Sequence, residues 1–254
     1  MRITVLGSGT SSGIPLLGCG CAVCTSADPH DQRLRPAVAV SVNGRNLLID
    51  TPPDFRTQAL RAHLDRVDAV LFTHTHADHI MGLDDVRPYN FKHQARIPIY
   101  GSAETITSIK RIFPYIFDNE SRVTFVPQLD ATSLDGGPFE VLGMTVQPIP
   151  VMHGKMPIFG YRIGRFAYLT DHSDIPADSM AMLQGLDVLF LDALRHKPHP
   201  THSTVAKSIE TVRQLQPKRA YFTHISHDLS HAATQAELPE GVFVAYDGLE
   251  IDVE

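Results

Sequence analysis

A short apolar run at residues 67–72 ends in Thr73 and then His74-Thr75-His76-Ala77-Asp78-His79, which packs four cation-binding side chains into six positions. At a strand end turning into a helix, His74 and His76 point to one side while Asp78 and His79 open the helix, so the four converge. Imidazole and carboxylate together suit Zn, Mn or Fe. Such a run needs the rim of a sheet, where strand ends of equal polarity meet and ligands bind.

The rest of the chain supplies such a sheet. Apolar stretches rich in Val, Ile and Phe recur at 3–6, 37–42, 46–49, 69–72, 97–100, 166–169, 188–191 and 219–222, each closed by a polar residue and a turn. Between them lie helical patterns at 54–64, at 102–117 behind a Ser N-cap, and at 203–215. This interleaving predicts an α/β fold, and a length of 254 residues lies within what a single α/β unit reaches. One domain, 1–254, is expected, with a Cys-rich loop at about 18–25 and a surface excursion between strands at 127–138. Phe72-Thr73-His74 and Phe222-Thr223-His224 echo one another, as two similar βα halves facing each other would produce.

Three more candidate ligands follow apolar runs: His153, Asp171 and His224. With His74, His76, Asp78 and His79 they make seven donors, too many for one tetrahedral site. The natural partition is two metals ~3.5 to 4 Å apart with Asp171 as the bridge. Asp50 also ends a strand and is either support for a histidine N–H or a helix cap. The only cysteines, Cys19, Cys21 and Cys24, fall within six positions, a metal spacing rather than a disulfide one. His227, three residues past His224, is the candidate fourth ligand of a structural Cys3His zinc.

Charge narrows the partners. Lys+Arg 22 against Asp+Glu 28 gives a formal −6, which offers no field for bulk nucleic acid. The chain opens on an apolar run too short for a signal-peptide core, and no stretch reaches the ~18 apolar residues of a span, so a cytoplasmic protein with no membrane partner is expected. Gly9-Thr10-Ser11-Ser12-Gly13 matches G-x-S-x-G, but Pro15 breaks the helix that a nucleophile elbow requires. Gly7, Gly9 and Gly13 miss the dinucleotide spacing.

The His74-x-His76-x-Asp78-His79 run, followed by His153, Asp171 and His224, resembles the metallo-β-lactamase superfamily. The resemblance implies a four-layer αβ/βα sandwich with a dinuclear site along one edge. Gly18-Cys19-Gly20-Cys21-Ala22-Val23-Cys24 with Thr223-His224-Ile225-Ser226-His227 is similar to the phosphoribosyl cyclic phosphodiesterases of bacterial phosphonate degradation and their near relatives. In that family the matching cysteines and His227 hold a structural zinc and the residue matching His202 is catalytic. The segment 192–201 departs from that pattern, so the substrate is read more broadly as a small cyclic or nucleotide-like phosphodiester.

Two divalent ions, the carboxylates Asp78 and Asp171 and a bridging hydroxide leave the expected site near 1+, attractive to a phosphodiester monoanion. In this reading the hydroxide attacks in line, Asp78 is indispensable to turnover, and His202 protonates the leaving oxygen. Arg195 is either a binder of a terminal phosphate or a solvated side chain. The competing readings are hydrolysis of a thioester, lactone or lactam, and a non-catalytic metal-binding accessory protein of the same fold. The ligand set accepts Mn, Zn or Fe, and the resemblance also suggests a homodimer.

Overall fold

The buried strands read as unbroken apolar runs because both of their faces are covered. Side chains alternate across a strand, so each run feeds two cores. In residues 47–49, Leu47 and Ile49 enter one core and Leu48 another, and in residues 166–169 Phe166 and Tyr168 part from Ala167 and Leu169 in the same way. One core lies between two sheets, and the other two lie between a sheet and its helices. The result is the four-layer αβ/βα sandwich.

The computed structural model describes residues 1–117 and 125–253. The first sheet contains β1 (Arg2–Gly7), β2 (Ala37–Val42), β3 (Arg45–Ile49), β4 (Ala69–Leu71), β5 (Ile97–Ser102) and β6 (Leu129–Leu134). The second contains β7 (Phe139–Val141), β8 (Met144–His153), β9 (Met156–Ile163), β10 (Phe166–Leu169), β11 (Val188–Asp192), β12 (Arg219–Thr223) and β13 (Val242–Val244). The last strand, β14 (Glu250–Asp252), returns to pair with β1.

The two sheets have one plan. From β14 through β1 and β2 to β3 the pairings are antiparallel, and from β3 to β6 they are parallel. From β7 to β10 they are again antiparallel, and from β10 to β13 parallel. Two similar halves are therefore present, but the Thr-His echo does not mark them. By position β4 corresponds to β11, whereas the second Thr-His ends β12.

The helices are shorter than their patterns. α1 covers Phe55–Arg61, and α2, Ala77–Ile80, holds Asp78 and His79. The pattern at 102–117 divides at Pro114 into Ala103–Ile112 and Pro114–Phe117, and the Ser102 side chain caps the first piece by accepting from the Thr105 N–H. Val205–Leu215, two residues shorter at its start than the pattern at 203–215, is capped by Thr204, whose side chain accepts from the Lys207 N–H. The excursion expected at 127–138 is instead largely strand β6, added parallel to β5. Its polar sequence reads as loop because it closes the parallel edge of its sheet, where half the side chains meet water. Among the described residues no helix is long and apolar enough to cross a membrane.

Behind α2, the Thr51 N–H donates to the His79 carbonyl and the Gly82 N–H to the Thr51 carbonyl, docking the short helix on the loop after β3. A Cβ at Gly82 would lie 2.0 Å from the Pro52 carbonyl oxygen, which no backbone can absorb without moving. Gly82→Ala is expected to cost about 2 kcal/mol or more, read as a lower urea midpoint. An unchanged midpoint would show that this docking is not tight.

Candidate metal centre

The strand ends carry the donors to one rim. His74 follows β4, His153 ends β8, Asp171 follows β10 and His224 follows β12. Asp50, Asp171 and His224 have φ of +66°, +57° and +59°, left-handed values uncommon outside glycine that recur where backbone strain serves a site.

Two groups result. His74, His76 and His153 form one, and Asp78, His79, Asp171 and His224 form the other, with the ligand atoms within each lying no more than 4.8 Å apart. Asp171 reaches both. Its Oδ1 lies 3.3 Å from His79 Nε2, and its Oδ2 lies 3.2 Å from His224 Nε2 and 4.0 Å from His74 Nε2. Asp78 Oδ2 stands 3.2 Å from His79 Nε2 and 3.7 Å from His224 Nε2. His76 is exposed at the mouth, while the other six are buried.

The hydrogen bonds behind the ligands decide which ring nitrogen faces inward. The Thr73 N–H and hydroxyl both donate to Asp50, at 2.9 and 2.8 Å. With its proton committed, the Thr73 oxygen accepts from His74 Nδ1 at 3.0 Å. His79 Nδ1 donates to Asp50 Oδ2 at 2.7 Å, and His153 Nδ1 to the Asp171 carbonyl at 2.7 Å. In the neutral form of all three rings it is Nε2 that is bare and aimed at the cluster. His74 Nε2, His79 Nε2, His224 Nε2 and Asp78 Oδ2 are buried without a hydrogen-bond partner among the described residues. An orphaned buried polar atom costs about 1–3 kcal/mol, so one such atom in the first group and three in the second fit cation ligand sets.

Electrostatics agree. Burial works against the charged forms of Asp78 and Asp171, yet the imidazoles beside them hold both carboxyls well below the usual carboxylate range. Burial also opposes charge on His224, but Asp171, Asp78 and Asp192 outweigh it and raise the imidazole to about 9. His79 rises for the same reason, with Asp171, Asp78 and Asp50 around it. Without metal, the histidines borrow protons to balance the carboxylates.

His202 adjoins both groups, with a ring nitrogen within 4.8 Å of ligand atoms of His153 and Asp171 and of Asp192 and His224, its ring stacked on His224 at 4.7 Å and edge-on to His153 at 4.8 Å. Its Nδ1 lies 2.6 Å from Asp192 Oδ2, and burial pushes the Asp192 carboxyl well above the usual carboxylate range, so the two share a proton, Asp192 orients His202, and that oxygen is not free to bind a cation. Sequence reasoning missed Asp192 as a site residue, although its place at the end of β11 matched the other strand-end donors. Asp50 is resolved as support for His79. Arg195 donates to the Lys197 and Pro198 carbonyls, both at 3.2 Å, and lies 3.8 Å from Asp228, so its guanidinium is spent on its own loop.

At the second cluster, His227 Nδ1 lies 3.4 Å from Cys19 Sγ and 3.5 Å from those of Cys21 and Cys24. A tetrahedron with Zn–S about 2.3 Å and Zn–N about 2.0 Å has an S···N edge of about 3.5 Å, so the four fit a zinc. The Cys24 N–H, followed by His227 and the other thiols, lowers the Cys21 thiol to about 6.

The comparisons with known proteins agree with this geometry. A family model described as the beta-lactamase superfamily domain matches residues 45–225. The solved structure of a diphosphatase from the PhnP family is 52% identical, with a TM-score of 0.94 over 100% of this chain and 98% of that one. An octanoyltransferase of Porphyromonas gingivalis W83 is 40% identical over all of this chain, which spans only 52% of that relative's length. Zn(2+)-bound PqqB from Methylobacterium extorquens, at 23% identity, has a TM-score of 0.79 with full coverage of both chains and so shares the fold. The chain belongs to the metallo-β-lactamase superfamily. Within it, the full-length match at 52% identity places it in the PhnP family, and the site is that of a metal-dependent hydrolase.

Two outcomes follow. Loading the cleft at pH 7 should release about two protons as His79 and His224 give theirs up, with apparent affinity rising until the pH nears the His224 value of about 9. Calorimetry in buffers of different ionisation heat reads the count, and no buffer dependence would refute it. Asp50→Asn should weaken cleft metal binding about 10–100-fold in chelator competition while the Cys-loop zinc stays bound.

Proposed function

We propose that this chain is a two-cation phosphodiesterase acting on a small, nucleotide-like phosphodiester or diphosphate. The observation that carries the reading is the single cluster in which two ligand groups share Asp171 and adjoin a histidine, His202, held by a buried carboxylate. His74, His76 and His153 would hold one cation, Asp78, His79 and His224 the other, and Asp171 both. When bound, two such cations supply Lewis acidity toward phosphoryl oxygens and make water a nucleophile near neutral pH.

The chain's own residues do the rest. The Nδ1–H bonds of His74, His79 and His153 fix their rings, so the donor geometry exists before substrate arrives. Burial, and then His224, push His202 down to about 4, so the ring is neutral in the free protein. A phosphodiester anion seated beside it opposes the effect of His224 and stabilises the imidazolium formed when the ring takes a proton from water, its Nδ1–H then held by Asp192. The proton then goes from His202 Nε2 to the departing alkoxide or phosphate oxygen. Identity to a diphosphatase favours a P–O–P linkage over the cyclic sugar phosphate suggested by the sequence.

One observation favours a second reading, hydrolysis of a medium-chain acyl ester or thioester: the relative named an octanoyltransferase. Against it, His76, His199, Thr201 and His202 line this part of the rim with polar side chains.

The metal-loaded protein should hydrolyse bis-p-nitrophenyl phosphate and dinucleotide diphosphates but not octanoyl thioesters, and the reverse pattern would overturn the proposal. His202→Ala should lower kcat about 10²–10⁴-fold on substrates with alkoxide or phosphate leaving groups. It should matter little for p-nitrophenolate, which departs without a proton. Asp78→Ala should abolish turnover on both while retaining the Cys-loop zinc.

A further inference from the structure

His199 belongs to the segment that departs from the phosphonate-pathway pattern, and the mechanism above does not use it. It sits between Pro198 and Pro200, which restrict the backbone on both sides. The loop is tied down around it. Arg195 closes onto the Lys197 and Pro198 carbonyls, the Leu194 N–H donates to the Ser203 carbonyl, and Thr201 packs against Gly154, where a Cβ would lie 2.9 Å from Thr201 Cγ2. Gly154 has φ +63° and directly follows His153, so the loop is seated on the hairpin that carries a ligand.

The ring's protonation follows from its partner. His199 Nδ1 lies 3.4 Å from the Thr201 backbone nitrogen and 3.2 Å from Thr201 Oγ1. A backbone N–H can only donate, so Nδ1 is the acceptor and the proton of the neutral ring is on Nε2. The ring centroid is 5.0 Å from that of His202, which in turn lies 4.7 to 4.8 Å from His224 and His153. His199 is thus one layer farther from the ligands, beyond the proton donor, and half-buried. The part of a substrate that reaches this layer is the part beyond the leaving oxygen.

We infer that His199 is a substrate-binding residue whose Nε2–H donates to a phosphoryl oxygen on the leaving-group side of a diphosphate. The inference rests on the phosphodiesterase reading and narrows it to substrates with a second phosphoryl group.

The test uses the metal-loaded full chain with His199→Ala and His199→Gln, the latter keeping an N–H donor. Losing one hydrogen bond to a charged oxygen corresponds to about tenfold or more. His199→Ala should raise KM for a dinucleotide diphosphate about tenfold with kcat nearly unchanged and leave bis-p-nitrophenyl phosphate unaffected, and His199→Gln should recover part of the loss. Calorimetric titration with inorganic pyrophosphate should show the same loss, and orthophosphate should not. Equal effects on both esters, or undiminished pyrophosphate binding in His199→Ala, would overturn the inference while leaving the phosphodiesterase standing. If the wild-type chain hydrolyses neither ester, the functional reading fails, and pyrophosphate titration still decides the role of His199.

Discussion

Everything at the rim depends on Asp171 keeping an ionised carboxylate in a buried place. Isolated, such a charge would take up a proton. Here one oxygen is turned to His79 and accepts from Thr170, while the other faces His224 and His74. A single side chain thus joins two groups of donors, each drawn from both sheets. Its left-handed backbone turns the carboxylate off the end of β10 and sends its own carbonyl to His153 Nδ1. The same residue therefore links the two donor groups and orients one of their ligands.

The repeated strand plan explains why opposing carboxylates are available. Corresponding strands β3 and β10 are each followed within two residues by an aspartate at positive φ, Asp50 and Asp171. Their surroundings divide their work. Asp50 is saturated by the Thr73 N–H, the Thr73 hydroxyl and His79, which leaves it no free oxygen for a cation. Among the described residues Asp171 has only Thr170 as a donor other than imidazole, and so stays open on the cleft side. One backbone device gives a support in one half and a bridge in the other because of what the next strand supplies.

The parts legible in the sequence were those that short segments dictate. Val188–Asp192 and Phe166–Leu169 are parallel strands whose uninterrupted apolar runs need no partner information to be recognised. The seven donors could be listed because each follows such a run. What the sequence could not give was pairing across distance. Asp192 meets His202 ten residues on, through a loop whose path no periodicity encodes. The fate of Arg195 likewise depended on carbonyls two and three residues ahead turning back toward it. Strand β6 was hidden because an edge strand with polar alternate positions has the composition of a loop. The Thr-His echo misled because similar tripeptides ended strands of different rank.

The Cys-loop cluster is more than a separate staple. His227 lies three residues after His224, and the chain between them is held from both sides: the Ile225 N–H donates to the Ser8 carbonyl, the Thr10 N–H to the Ile225 carbonyl, and the Ser226 N–H to the Leu194 carbonyl. Fully buried Arg33 adds bonds to Ser8, the Ala245 carbonyl and His231 Nδ1, and Asp31 accepts from the His231 N–H. The N-terminal loop therefore grips the segment that starts with one cleft ligand and ends with the zinc-cluster histidine. His224 has no Nδ1 partner among the described residues, unlike His74, His79 and His153. Its ring is set by the backbone that carries it and by the stack on His202 rather than by an Nδ1 bond. The grip on residues 225–231 therefore bears on that backbone, and His224 lies only three residues before the zinc-cluster histidine.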